Sequence, residues 1–79
     1  MPYALHDRIQ IDPMVCHGKP VIRGTRVLVS TILGALSGGD SFSDVLADYP
    51  NISEGDIREA LAFAGTLARF EETPYEAVQ

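Results

Sequence analysis

Cysteine is nearly missing from this sequence of 79 residues: Cys16 stands alone, so no internal disulfide can form and a reducing compartment is expected. A zinc site has too few nitrogen and sulfur ligands, because His6 and His17 are the only other such donors and three or four must converge. No apolar run approaches the roughly 20 residues that cross a bilayer. The opening "MPYALHDRIQ" also lacks the apolar stretch of a secretory signal, so a cytoplasmic protein without membrane contact is expected. Basic residues are scarce as well. Six Lys and Arg face 11 Asp and Glu, for a net charge of −5, which excludes a domain that grips nucleic acid over its whole surface.

Catalytic arrangements are thin in the same way. Cys16 and His17 are adjacent, and neighbours in an extended segment point to opposite faces, so they do not make a nucleophile with its base. "GKP" at 18–20 lacks the spacing and the Ser/Thr of a phosphate-binding P-loop. Asp40, Asp44 and Asp48 recur every fourth residue, where like charges repel and mark a solvated helix face. The reading is a non-enzyme with no cofactor and no metal.

What charge there is, is segregated. Residues 1–28 hold Arg8, Lys19, Arg23 and Arg26 against Asp7 and Asp12, a balance of +2; residues 29–79 hold Arg58 and Arg69 against nine carboxylates, a balance of −7. Any anion-seeking surface therefore belongs to the first third. At 46% hydrophobic and 22% charged the chain reads as one small globular domain, with a core thin enough that self-association into a homodimer is expected.

Apolar periodicity divides the chain into 1–28, an arm and β-hairpin; 29–70, three helices; and 71–79, an acidic flexible tail. "RIQID" at 8–12 alternates, putting Ile9 and Ile11 on one face before Pro13 ends the strand. Val21, Ile22 and Val27 form a second extended stretch with a bulge or turn at Gly24. From Val29 the period becomes helical: Val29, Ile32, Leu33 and Leu36 share a stripe that stops at Gly38 and Gly39. Ser41 with Asp44 opens a second helix with stripe Phe42, Val45, Leu46 and Tyr49, closed by Pro50. Ser53 with Asp56 opens a third, with Ile52 stapled on Ile57 and a buried stripe of Ile57, Leu61, Ala64 and Ala68. Two helices joined by "PNI" have the pattern of a helix-turn-helix. The fold expected is mainly α, an N-terminal β-hairpin followed by a three-helix, homeodomain-like helix-turn-helix bundle.

The stretch 11–64 resembles the bacterial DUF433 family in its Ile-Asp-Pro start, its Cys-x-Gly-Lys-Pro-x-Ile-x-Gly-Thr-Arg core at 16–26, and its Tyr-Pro-x-Ile-Ser step before Asp-Ile. The resemblance implies a hairpin preceding a homeodomain-type helix-turn-helix. It also implies an antitoxin of a VapBC-like, type II toxin–antitoxin system, paired with a PIN-like ribonuclease toxin. The remaining readings are a freestanding DNA-binding regulator and a structural adaptor without nucleic-acid contact.

Two sets of residues carry these expectations. Lys19, Arg23, Arg26 and Arg58 are the candidates for operator DNA, with the hairpin holding phosphates and doubled by dimerisation; alternatively Arg23 and Arg26 fasten the hairpin to helix termini or to acids such as Asp12. Phe63, Phe70, Glu71, Glu72 and Tyr75 are the candidates for a protein partner, an acidic and aromatic segment suited to the basic rim of a ribonuclease. Phe63 and Phe70, seven apart and off the main stripe, form a second apolar face suited to self-association.

Overall fold

A computed structural model of the chain describes the backbone of residues 6–78 and the side chains of 6–69. Two short antiparallel strands, β1 (Ile9–Gln10) and β2 (Val21–Ile22), pair Ile9 with Ile22 and Gln10 with Val21. Three helices follow: α1 (Val29–Ser37), α2 (Phe42–Asp48) and α3 (Glu54–Val78). This is the expected architecture, a mainly helical chain with an N-terminal hairpin.

The strands are shorter than the alternation suggests, because Asp12 starts a turn. Its side-chain Oδ1 accepts from the Met14 amide at 2.9 Å and its carbonyl accepts from Val15 at 2.8 Å, which pulls Ile11 off the sheet. Ile9 is buried, whereas Ile11 is 53% exposed and does not share its face, contrary to expectation. After β2 the chain turns at Gly24, whose φ of +81° lies in the left-handed region that glycine enters without strain. Thr25 N–H donates to the Ile22 carbonyl at 2.9 Å, Ile22 N–H to Val27 at 3.0 Å, and Val29 N–H to Pro20 at 3.0 Å, so the 26–29 segment lies back along β2.

The helix ends follow the local chemistry. Gly39, at φ +107°, ends α1 in a Schellman arrangement: its N–H donates to Leu36 at 3.1 Å and that of Asp40 to Ala35 at 3.0 Å. Ser41 and Asp44 close a reciprocal capping box on α2, at 2.9 and 3.1 Å. Ser53 and Asp56 do the same for α3, at 2.9 and 3.3 Å.

The core gathers Ile9, Ile22, Val27, Val29, Ile32, Val45, Ile52, Ile57 and Ala60 between the hairpin and the helices. One expectation needs correcting. The buried side of α3 is Ile57, Ala60 and the half-buried Phe63, while Leu61 and Ala68 are exposed. A small side chain at the centre of the contact lets α3 approach α1 and α2 closely, and Ala60 supplies it where Leu61 would hold the helices apart. The backbone of 71–78, expected as a tail, continues α3, although Pro74 removes one helical hydrogen bond; the helix formers Glu71, Glu72, Glu76 and Ala77 flank it. At 25 residues α3 is about 37 Å long, most of the longest dimension of a molecule whose extents, helix included, are 44 × 31 × 20 Å. Among the described residues no helix is long and apolar enough to cross a membrane.

Candidate nucleic-acid and partner surfaces

The four basic side chains singled out for DNA have different surroundings. Arg23, at the hairpin turn, donates from Nε to the Asp7 carbonyl at 2.6 Å and from Nη2 to the Ile9 carbonyl at 3.3 Å. The guanidinium thus replaces a missing strand along the outer edge of β1, and the Arg23 N–H adds a bond to the Arg8 carbonyl at 2.7 Å. Arg23 is a fastener of the hairpin, and its partners are main-chain carbonyls rather than Asp12. Arg58 donates to Glu54 Oε2 at 2.7 Å and lies with its guanidinium carbon 5.6 Å from the centre of the Phe42 ring. Lys19 and Arg26 are exposed, and among the described residues neither meets a carboxylate.

Arg23→Ala is expected to lower stability by about 1–2 kcal/mol, the scale for losing charge-assisted hydrogen bonds at a partly wet site. Arg23→Lys is expected to recover less than half of this, because an ammonium cannot span both carbonyls. Chemical denaturation of the three proteins checks it; equal midpoints for all would show that the guanidinium fastens nothing.

Of the partner candidates, Phe63 packs against the core and meets the His6 ring edge-on, with centroids 5.5 Å apart at 90°. It faces the body rather than lying on a separate outer face. The side chains of Phe70, Glu71, Glu72 and Tyr75 lie outside the described residues. Leu61 and Leu67, 43% and 51% exposed, are the large apolar side chains that α3 presents to solvent among the described residues.

Sequence reasoning missed two contacts that join the N-terminal segment to α3. His6 is buried, with Nδ1 3.1 Å from Glu59 Oε2 and Nε2 3.2 Å from Thr66 Oγ1. Arg8 Nη1 donates to Asp56 Oδ1 at 3.1 Å, and its guanidinium lies only 3.0 Å from where a Cβ would stand at Gly55. Gly55 gives room for that guanidinium on the helix backbone; a bare "EGD" offers no sign of it. Between the hairpin and α3 these contacts leave a groove lined by His6, Ile11, Asp12, Arg23 and Phe63. Among the described residues no three His, Cys, Asp or Glu side chains gather as metal ligands would.

With hairpin, helices and fastening arginine in place, the comparisons with known proteins decide the family. The family described as "Protein of unknown function (DUF433)" matches residues 9–64, most of the chain. The chain belongs to the DUF433 family. The crystal structure of a DUF433 member from Anabaena variabilis ATCC 29413 is similar to it, with 31% identity and a TM-score of 0.73. That similarity covers 99% of this chain and 75% of the other. No curated protein matches. In this DUF433 chain the matched segment begins at β1 and ends within α3, so it takes in the hairpin, Arg23 and both capping boxes, and leaves out His6 and Arg8.

Proposed function

We propose that this DUF433 protein is the antitoxin of a type II toxin–antitoxin pair, which binds and neutralises a PIN-like ribonuclease and, as a homodimer, binds its operator DNA. The observation that carries the reading is α3. It runs for 25 residues, it leaves Leu61 and Leu67 exposed, and it belongs to the part of the chain with a balance of −7. A negatively charged helix with exposed apolar side chains complements the basic rim that an RNA-cutting enzyme needs for its substrate.

Co-expression with a PIN-like reading frame from the same operon tests this. The expected result is a stable complex and relief of the growth arrest that the nuclease causes alone. Leu61→Ser combined with Leu67→Ser is expected to weaken the complex about 100-fold or more, since each leucine buried at an interface contributes about 1.5–3 kcal/mol. Both side chains are about half exposed in the free protein, so its thermal midpoint should fall by only a few degrees, from the lower helix propensity of serine. Absence of a complex with the wild-type chain would favour a freestanding regulator or an adaptor.

A further inference from the structure

The residues from Pro13 to Gly39 contain no Asp or Glu at all, yet they hold His17, Lys19, Arg23 and Arg26. Carboxylates resume at Asp40. In the fold this acid-free run is the part of the hairpin connection that follows Asp12, then β2 and α1, whose first turn has no acidic residue either. Of its cations Arg23 is engaged with main-chain carbonyls. Lys19 and Arg26 remain, exposed and without a carboxylate partner among the described residues.

Their backbones are held in place. Cys16, His17 and Gly18 have φ of 50°, 59° and 81°, a left-handed turn closed by Lys19 N–H donating to the Cys16 carbonyl at 3.2 Å. The Cys16 thiol in turn lies 3.9 Å from the Arg26 carbonyl, so the turn that carries Lys19 is set against the segment that carries Arg26. The Val21–Leu28 bridge and the Val29 to Pro20 bond fix the two segments side by side. His17 is exposed on the same turn.

The start of α3, where a helix-turn-helix would place its recognition residues, has the opposite character. Glu54 and Asp56 occupy its first turn, and Arg58 is balanced locally by Glu54 at 2.7 Å. Phosphates approaching that end meet carboxylates before they meet a cation.

Building on the operator-binding reading, we propose that the hairpin edge, through Lys19 and Arg26, is the surface of this protein that contacts nucleic-acid phosphates, and that α3 does not enter the groove of the duplex. Exposed ammonium and guanidinium groups on segments held side by side in this way can meet the phosphates of a sugar–phosphate backbone. The contact is electrostatic and so depends on salt.

Fluorescence anisotropy on a duplex from the operon's own upstream region, between about 50 and 200 mM KCl, tests the proposal. Wild type, the double variant Lys19→Ala/Arg26→Ala, the charge-keeping Lys19→Arg/Arg26→Lys, and Arg58→Ala are compared, each checked for its thermal midpoint. The double alanine variant is expected to bind at least tenfold more weakly and to lose about two from the slope of log K against log salt per chain. The charge-keeping variant and Arg58→Ala are expected to stay within about threefold of wild type. Undiminished binding by the double alanine variant overturns the proposal, as does a loss in Arg58→Ala that equals it. If the double alanine variant instead releases the nuclease and keeps DNA, the edge is a surface for an acidic protein and the proposal fails. Failure of the wild type to bind the duplex also overturns it. Nuclease binding, measured on the same samples, separates these results from failure of the antitoxin reading.

Discussion

Ile32→Ala is expected to lower the thermal midpoint by roughly 10–30 °C, enough to leave much of the chain unfolded at growth temperature. Ile32 has no exposed surface and sits mid-way along α1, in the one core that the hairpin and all three helices share. Truncating a buried isoleucine to alanine removes its transfer free energy and leaves a cavity, together about 2–5 kcal/mol. A domain of this length has a total stability on the order of 4–12 kcal/mol, so a large share is lost. In so small a domain each kcal/mol moves the midpoint by about 4–8 °C. Circular dichroism melts settle it, with Ile32→Val expected to cost about 1 kcal/mol and Leu61→Ala, on the exposed side of α3, close to nothing. A shift below 5 °C for Ile32→Ala would mean that the core is not where the fold puts it.

His6→Ala is expected to have the next largest effect, about 2–3 kcal/mol, although the residue lies near the end of the chain. The residue is 8% exposed, and its ring touches Phe63 edge-on and has an oxygen within hydrogen-bond reach of each nitrogen. Removing it leaves the Glu59 carboxylate, whose side chain is 20% exposed, without its close neighbour, and opens a void beside an aromatic ring. Thr66 is less affected, because its hydroxyl also donates to the Ala62 carbonyl at 3.1 Å. His6→Asn, which can replace one of the two contacts, is expected to fall between. Amide exchange should show the loss spreading through the middle turns of α3. A His6→Ala protein as stable as wild type within about 0.5 kcal/mol would refute the role.

The parts of this fold that were legible in the sequence are those decided within four or five residues. Two serine–aspartate capping boxes, the glycine pair after α1, Pro50 after α2 and the turn at Gly24 each follow from chemistry between near neighbours, and each appears where expected. The facing of α3 did not follow. Ile57, Ala60, Leu61, Phe63 and Leu67 put apolar side chains around most of the helix, so periodicity selects no single side, and the choice falls to which side packs closest.

The candidate site was legible in its charge and not in its partners. The segregation of basic residues into the first third can be counted from the sequence. That Arg23 faces main-chain carbonyls cannot, because every residue carries one and nothing marks the pair at Asp7 and Ile9. The contacts of Arg8 with Asp56 and of His6 with Glu59 span 48 and 53 positions, separations over which only the finished fold brings side chains together.

The two contacts between the N-terminal segment and α3 also settle a question of direction. Arg8 holds the helix at Gly55 and Asp56, and His6 holds it again between Glu59 and Thr66, up to about 17 Å further along. A rod pinned once can swivel; pinned twice along its base, it has a single heading. Together with the packing of Ile57, Ala60 and Phe63 on the core, these two contacts set the heading of α3, and a partner docking on its far half would meet it at a fixed angle to the hairpin.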